Sequence, residues 1–156
     1  MIIASPDLEI FGVYDRGIPN TERIVIRVNR PTNLAEYFVI LGARGPFGMD
    51  IIFPMSDQSL WLGATTIDIP AWIFIFTGSG KNGLSLEKHT SEPLHTMYWN
   101  KKQVVLTHAD IVPAIIHVDH VQIGNYPNKS LDDLTKPNDS IGLSALQQLL
   151  SKTGEN

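Results

Sequence analysis

The chain of 156 residues contains no cysteine. This excludes disulfides, thiol nucleophiles and thiolate metal centres, and it leaves the redox compartment unspecified. Positive charge is also short: Lys and Arg number 12 against 16 Asp and Glu, a formal net charge of −4. No global positive field exists to draw in phosphates, so counterion release offers little affinity for duplex nucleic acid, and no nucleic-acid partner is expected. Long apolar runs are missing as well. The longest, residues 69–76, contains Pro70 and stops at Thr77-Gly78. A helix that crosses a bilayer needs roughly 20 apolar residues, so no membrane insertion is expected. Residues 1–6 lack the basic start and apolar core of an export signal, and none is expected.

What the chain does have is a succession of short apolar, β-branched and aromatic segments separated by Gly, Pro and Asn. β-Branched and ring side chains fit a pleated, half-buried surface better than a helix. The segments at 8–14, 23–29, 37–41, 47–53, 59–63, 67–76, 84–88, 95–99, 103–107 and 114–123 read as strands. In 23–29, Ile24, Ile26 and Val28 alternate with Arg23, Val25 and Arg27, which predicts one core face and one solvated face with Arg23 and Arg27 projecting together. The apolar run at 37–41 predicts a strand covered on both sides. Asn100-Lys101-Lys102 reads as the tip of a hairpin joining 95–99 to 103–107. Nine to ten strands with turn signals between them predict an all-β domain over residues 1–124, an antiparallel β-sandwich or barrel of jelly-roll or Greek-key type. A chain of 156 residues folded as one domain buries roughly 68–70% of its unfolded surface, so it needs no staple.

The composition changes after Gly124. Residues 125–138, rich in Pro and Asn, read as a connector, and residues 139–152 as one amphipathic helix capped by Ser140. Its stripe of Ile141, Ala145, Leu146, Leu149 and Leu150 is the predicted interaction surface, on the same domain or a neighbouring chain, because a helix of about a dozen residues is marginal alone in water.

No segment carries a catalytic signature. Residues 76–83 hold a Gly-Lys pair, but Ile75 and Asn82 stand where a phosphate loop requires Gly and Ser or Thr, and a strand follows rather than a helix. A hairpin loop is the expectation there. His117 and Asp119 fall on one face of a predicted strand and, with His108, form a candidate metal set, although a closed site takes about four ligands. Among the aromatics, Trp72 lies within an apolar strand and is expected in the core. Trp61 and Trp99 are nearer turns and, with Tyr98 and Asp57, form a candidate carbohydrate platform.

The function expected from these features is a non-enzymatic structural or protein-interaction module without a cofactor, working as a homo-oligomer or as a subunit of a larger virion, tail or secretion-type assembly. Carbohydrate binding and metal-dependent catalysis on a β-barrel are the rival expectations. Deleting residues 139–156 is expected to lower the melting temperature or change the solution mass, because the stripe from Ile141 to Leu150 must be covered; thermal denaturation and light scattering check this.

Overall fold

The computed structural model describes residues 6–46 and 51–124. The chain divides into two units, Met1–His120 and Val121–Asn156. The connector expected at 125–138, the helix expected at 139–152 and its stripe lie outside the described residues. Among the described residues there are ten strands and one short 3₁₀ turn: β1 (Leu8–Tyr14), β2 (Arg23–Val28), β3 (Thr32–Asn33), the 3₁₀ turn (Leu34–Glu36), β4 (Tyr37–Arg44), β5 (Ile52–Trp61), β6 (Thr66–Ile67), β7 (Ala71–Phe76), β8 (Gly83–Leu86), β9 (Pro93–Tyr98) and β10 (Ile111–His117). The all-β reading holds. The strands form a five-stranded sheet in the order β1-β2-β7-β9-β8, a three-stranded sheet in the order β10-β4-β5, and a small β3-β6 pair, with no closed barrel among the described residues.

Side-chain alternation determines where the core lies. Ile24, Ile26 and Val28 of β2 and Ala71, Ile73 and Ile75 of β7 have no exposed surface, and they share one cluster with Tyr37, Val39 and Leu41 of β4. Fully burying each of the isoleucine, valine and leucine side chains contributes about 1.5–3 kcal/mol. β4 is the middle strand of its sheet, and its alternate residues Phe38 and Ile40 are half-buried, close to the two-sided cover expected of its apolar run.

Several sequence expectations are corrected. The pairing is not wholly antiparallel, because β7 and β9 run parallel, with Trp72 opposite Leu94 and Phe76 opposite Tyr98. Parallel neighbours need a long crossover, and residues 77–92 provide it with β8 inside them. The glycine-rich loop is therefore not a β7–β8 hairpin: β9 lies between those strands. A side chain at Gly80 would meet the Tyr98 ring at 2.3 Å, so this loop depends on its close approach to that ring. The segment predicted at 67–76 is divided at Pro70, which presents no N–H to a ladder. Residues 59–61 continue the strand that begins at Ile52 as one long edge strand, β5, whose register shifts between Ile40 and Gly42 of its partner, while residues 47–50 of the segment predicted at 47–53 lie outside the described residues.

Residues 103–107 form no strand, and the predicted hairpin at 100–102 is absent. The reason lies in Glu22, a carboxyl side chain with no exposed surface. Its Oε1 accepts hydrogen bonds from Val105 N at 2.9 Å and Thr77 Oγ1 at 2.8 Å. Its Oε2 accepts from Gly17 N at 2.7 Å and Leu106 N at 3.2 Å. The amides that a ladder would use at 105 and 106 are thus taken by a side chain, while Leu106 is driven fully into the core. From the same β1–β2 turn, Arg16 Nη1 donates to the carbonyls of Leu106, His108 and Ile111 at 3.0, 3.1 and 2.9 Å. Asp15, Gly17 and Asn20 hold this turn at positive φ, a conformation that Gly, Asn and Asp tolerate best.

Glu22→Ala would leave buried donors without an acceptor, at about 1–3 kcal/mol each, a large share of the roughly 5–15 kcal/mol that stabilises a domain. A large drop in the urea midpoint is expected. Glu22→Gln should also destabilise, because in either orientation its amide nitrogen would face at least one N–H group that now has a carboxylate oxygen as its acceptor.

Candidate functional site

β7 reads Ala71-Trp72-Ile73-Phe74-Ile75-Phe76, and its isoleucines occupy the core. Period-two alternation therefore turns Trp72, Phe74 and Phe76 to the opposite, outer face of the five-stranded sheet. Trp72 is thus not a core residue, which corrects the expectation for it. β2 matches this pattern from the neighbouring strand. Arg23 pairs with Phe76, Val25 with Phe74, and Arg27 with Trp72, so Arg23 and Arg27 do project together. β1 adds Tyr14 opposite Arg23. Its register shifts between Ile10 and Gly12, and this bulge turns Phe11 outward, where its ring meets Trp72 edge-on at 5.2 Å.

The result is an open groove of about 650 Å³, floored by Val25, Phe74 and Leu94, flanked by Phe11, Tyr14, Arg23, Trp72 and Phe76, and walled by residues Ser85 to Thr90. That volume lies in the range of ligand sites. Most of its lining is apolar or aromatic, and Phe11 is 57% exposed. The far wall is the end of β8 and the turn into β9. Glu87 Oε2 accepts from the amides of His89 and Thr90 at 2.8 and 2.7 Å and so ties the turn together.

Charges on this face are arranged against rings. The Arg23 guanidinium lies over Tyr14, Phe74 and Phe76 at 5.5, 5.8 and 5.7 Å, and it is paired with Asp15. Arg27 lies 4.7 Å from the Trp72 ring centre, within cation–π range. It also makes a two-pronged pair with Glu92, one arm of which is Nη2 to Oε1 at 2.8 Å, and the Trp72 indole N–H donates to Glu92 Oε2 at 2.8 Å. The Arg27 hydrogen bonds, aided by Trp72 and opposed by burial, lower the Glu92 carboxyl from its ordinary 4.5 to about 2.

The sequence-predicted candidates stand elsewhere. Trp61 is 47% exposed at the end of β5, its indole donating to the Ala35 carbonyl at 2.9 Å. Trp99, expected at the surface, is instead buried in the core cluster, because its amide continues the sheet by donating to the Phe76 carbonyl and carries the side chain inward. Tyr98 stacks on Phe76 at 5.3 Å. Asp57 is exposed in β5 at positive φ, and its carbonyl accepts from Lys101 Nζ, which also lies over the Trp99 ring. Trp61 and Trp99 therefore form no common platform.

In the proposed metal set, His117 ends β10, stacks on Tyr37 and lies between Glu36 (3.2 Å from Nε2) and Asp119 (3.6 Å from Nδ1). His108 precedes β10, a strand roughly 20 Å long. Among the described residues, no three His, Cys, Asp or Glu side chains are grouped so as to hold a metal ion, and no helix is long and apolar enough to cross a membrane. Compared with protein-family models, curated proteins and solved structures, the chain matches none of them.

Because the folded-state value of Glu92 lies below its ordinary one, its pairing stabilises the fold fully above pH 4.5 and is lost as the pH falls toward about 2. The urea midpoint of the wild type should fall through that window, and Glu92→Gln should flatten this part of the profile while lowering stability at neutral pH.

Proposed function

We propose that the chain is a non-enzymatic structural or protein-interaction module, a sandwich-type subunit that binds protein through the outer face of its five-stranded sheet and serves within a larger assembly. The observation that carries this reading is the exposed aromatic groove, in which Trp72, Tyr14, Phe11 and Arg23 stand together. Interface centres are enriched in aromatic side chains and Arg, and the residues that dominate binding are most often Trp, Tyr and Arg. The rings are rigid and Arg27 is held in place by Glu92, so a partner would order little on binding.

The sheet edge beside the groove supports the same reading. β8 is the last strand of the sheet, all four of its residues are exposed, and Leu84 and Leu86 are 70% and 64% exposed. An uncovered edge with apolar side chains is a template for pairing with another chain. A saccharide platform is less well supported, since stacking requires free ring faces and guanidinium groups lie over Trp72, Phe74 and Phe76.

A photo-reactive amino acid placed at Phe11 in cells, with Lys81 as an exposed control outside the groove, is expected to cross-link to protein at position 11 alone. Absence of any protein adduct at position 11, combined with a monomeric mass across the concentration range, would refute the proposed role.

A further inference from the structure

We propose that Asn82 is a site of spontaneous covalent modification, at which the Gly83 amide closes on the asparagine side chain and the residue converts to aspartate and isoaspartate. Asn82-Gly83 is the one place in the sequence where glycine follows asparagine; the other described asparagines, Asn20, Asn29, Asn33 and Asn100, precede Thr21, Arg30, Leu34 and Lys101. A side chain on the following residue crowds the approach of its nitrogen, and glycine has none. Both residues are exposed, and a Cβ at Gly83 would meet nothing within 4 Å, so neighbouring groups leave the approach open. Gly83 is the end residue of the edge strand β8, opposite Thr96. Freeing its nitrogen takes at most the fraying of that terminal pair, an opening of low cost compared with unfolding the sheet.

The carbonyl under attack is prepared as well. Asn82 Oδ1 accepts from Tyr98 N at 2.9 Å, a distance at which a backbone donor stabilises the oxyanion formed when a nucleophile adds. Asn82 Nδ2 makes no hydrogen bond among the described residues and is free to leave. The Gly83 nitrogen bonds to Asn82 Cγ, the Cγ–Nδ2 bond breaks, and ammonia departs with the proton lost from Gly83. Water then opens the resulting cyclic imide, its hydroxyl going to the carbonyl carbon and its proton returning to the Gly83 nitrogen. Opening at Cγ gives aspartate, and opening at the main-chain carbonyl gives isoaspartate. Either product adds one negative charge to a chain of net charge −4. Isoaspartate also carries the backbone through Cγ, so Tyr98 N loses its acceptor and the entry to β8 lengthens by a methylene. The wall of the groove begins on this strand, and the modified chain holds it less firmly.

The test incubates the full chain in mildly alkaline buffer beside a synthetic peptide of residues 78–88. Products are resolved by ion exchange and mapped by mass spectrometry with fragmentation that separates aspartate from isoaspartate. A more acidic species modified at residue 82, isoaspartate included, is expected to appear before any other, at a rate that rises with pH because base removes the Gly83 amide proton. Gly83→Ala should slow its formation about tenfold, equivalent to about 1.4 kcal/mol of barrier. Its melting curve should be unchanged, given the open space around that Cβ. In limited proteolysis the isoaspartate form should be cut within residues 78–90 before the unmodified chain. Retention of Asn82 in the folded chain while the peptide converts, earlier conversion at another asparagine, an unaltered rate in Gly83→Ala, or equal proteolysis of the two forms would overturn the inference.

Discussion

The described fold depends on a buried carboxyl group. Glu22 has no exposed surface, yet it gathers an amide from its own turn, a hydroxyl from the end of β7 and two amides from the segment that follows β9. Burying such a group is costly unless its oxygens are satisfied, and here each oxygen accepts from two donors. Arg16, six residues earlier in the same turn, takes three carbonyls of the segment that leads into β10. One turn thereby supplies both the acceptors and the donors that an irregular stretch of backbone would otherwise lack. The stretch can then place Leu106 in the core without belonging to a ladder.

With that segment held, the five-stranded sheet presents two faces of different character. Isoleucine and valine fill the inner face, while rings and guanidinium groups occupy the outer one. The outer face gains order from pairing charge with ring: Arg27 is held at once by Glu92 and by the Trp72 ring, and Glu92 in turn fixes the indole. Such a network fixes the side chains of this surface relative to one another. The bulge in β1 and the turn between β8 and β9 raise this face at both sides into a groove, so a small irregularity in pairing becomes a feature of the sheet's outer surface.

Much of the strand content could be read directly from the residues. The limits of β1 agree with those expected, and those of β2, β8 and β9 agree to within a residue or two, because alternation and turn residues are local signals. The groove was half-readable. Arg23 and Arg27 were placed together by alternation within their own strand. The same alternation in Trp72-Ile73-Phe74-Ile75-Phe76 separates rings from isoleucines, but an all-apolar run does not say which set faces the core. The answer came from β2, where the arginines cannot be inside, and that requires knowing that β2 and β7 are neighbours.

Local chemistry thus decided that the chain is all-β, which residues alternate, and where Pro70 and the glycines interrupt the strands. Tertiary structure decided the rest: the parallel β7–β9 pairing, the exchange of Trp72 and Trp99 between core and surface, the separation of His108 from His117, and the roles of Glu22 and Arg16. The physical reason is distance along the chain. A strand's periodicity is set by its own backbone, whereas the acceptor for the amides of Val105 and Leu106 comes from a side chain more than eighty residues earlier, and nothing in either stretch announces the other until the fold brings them together.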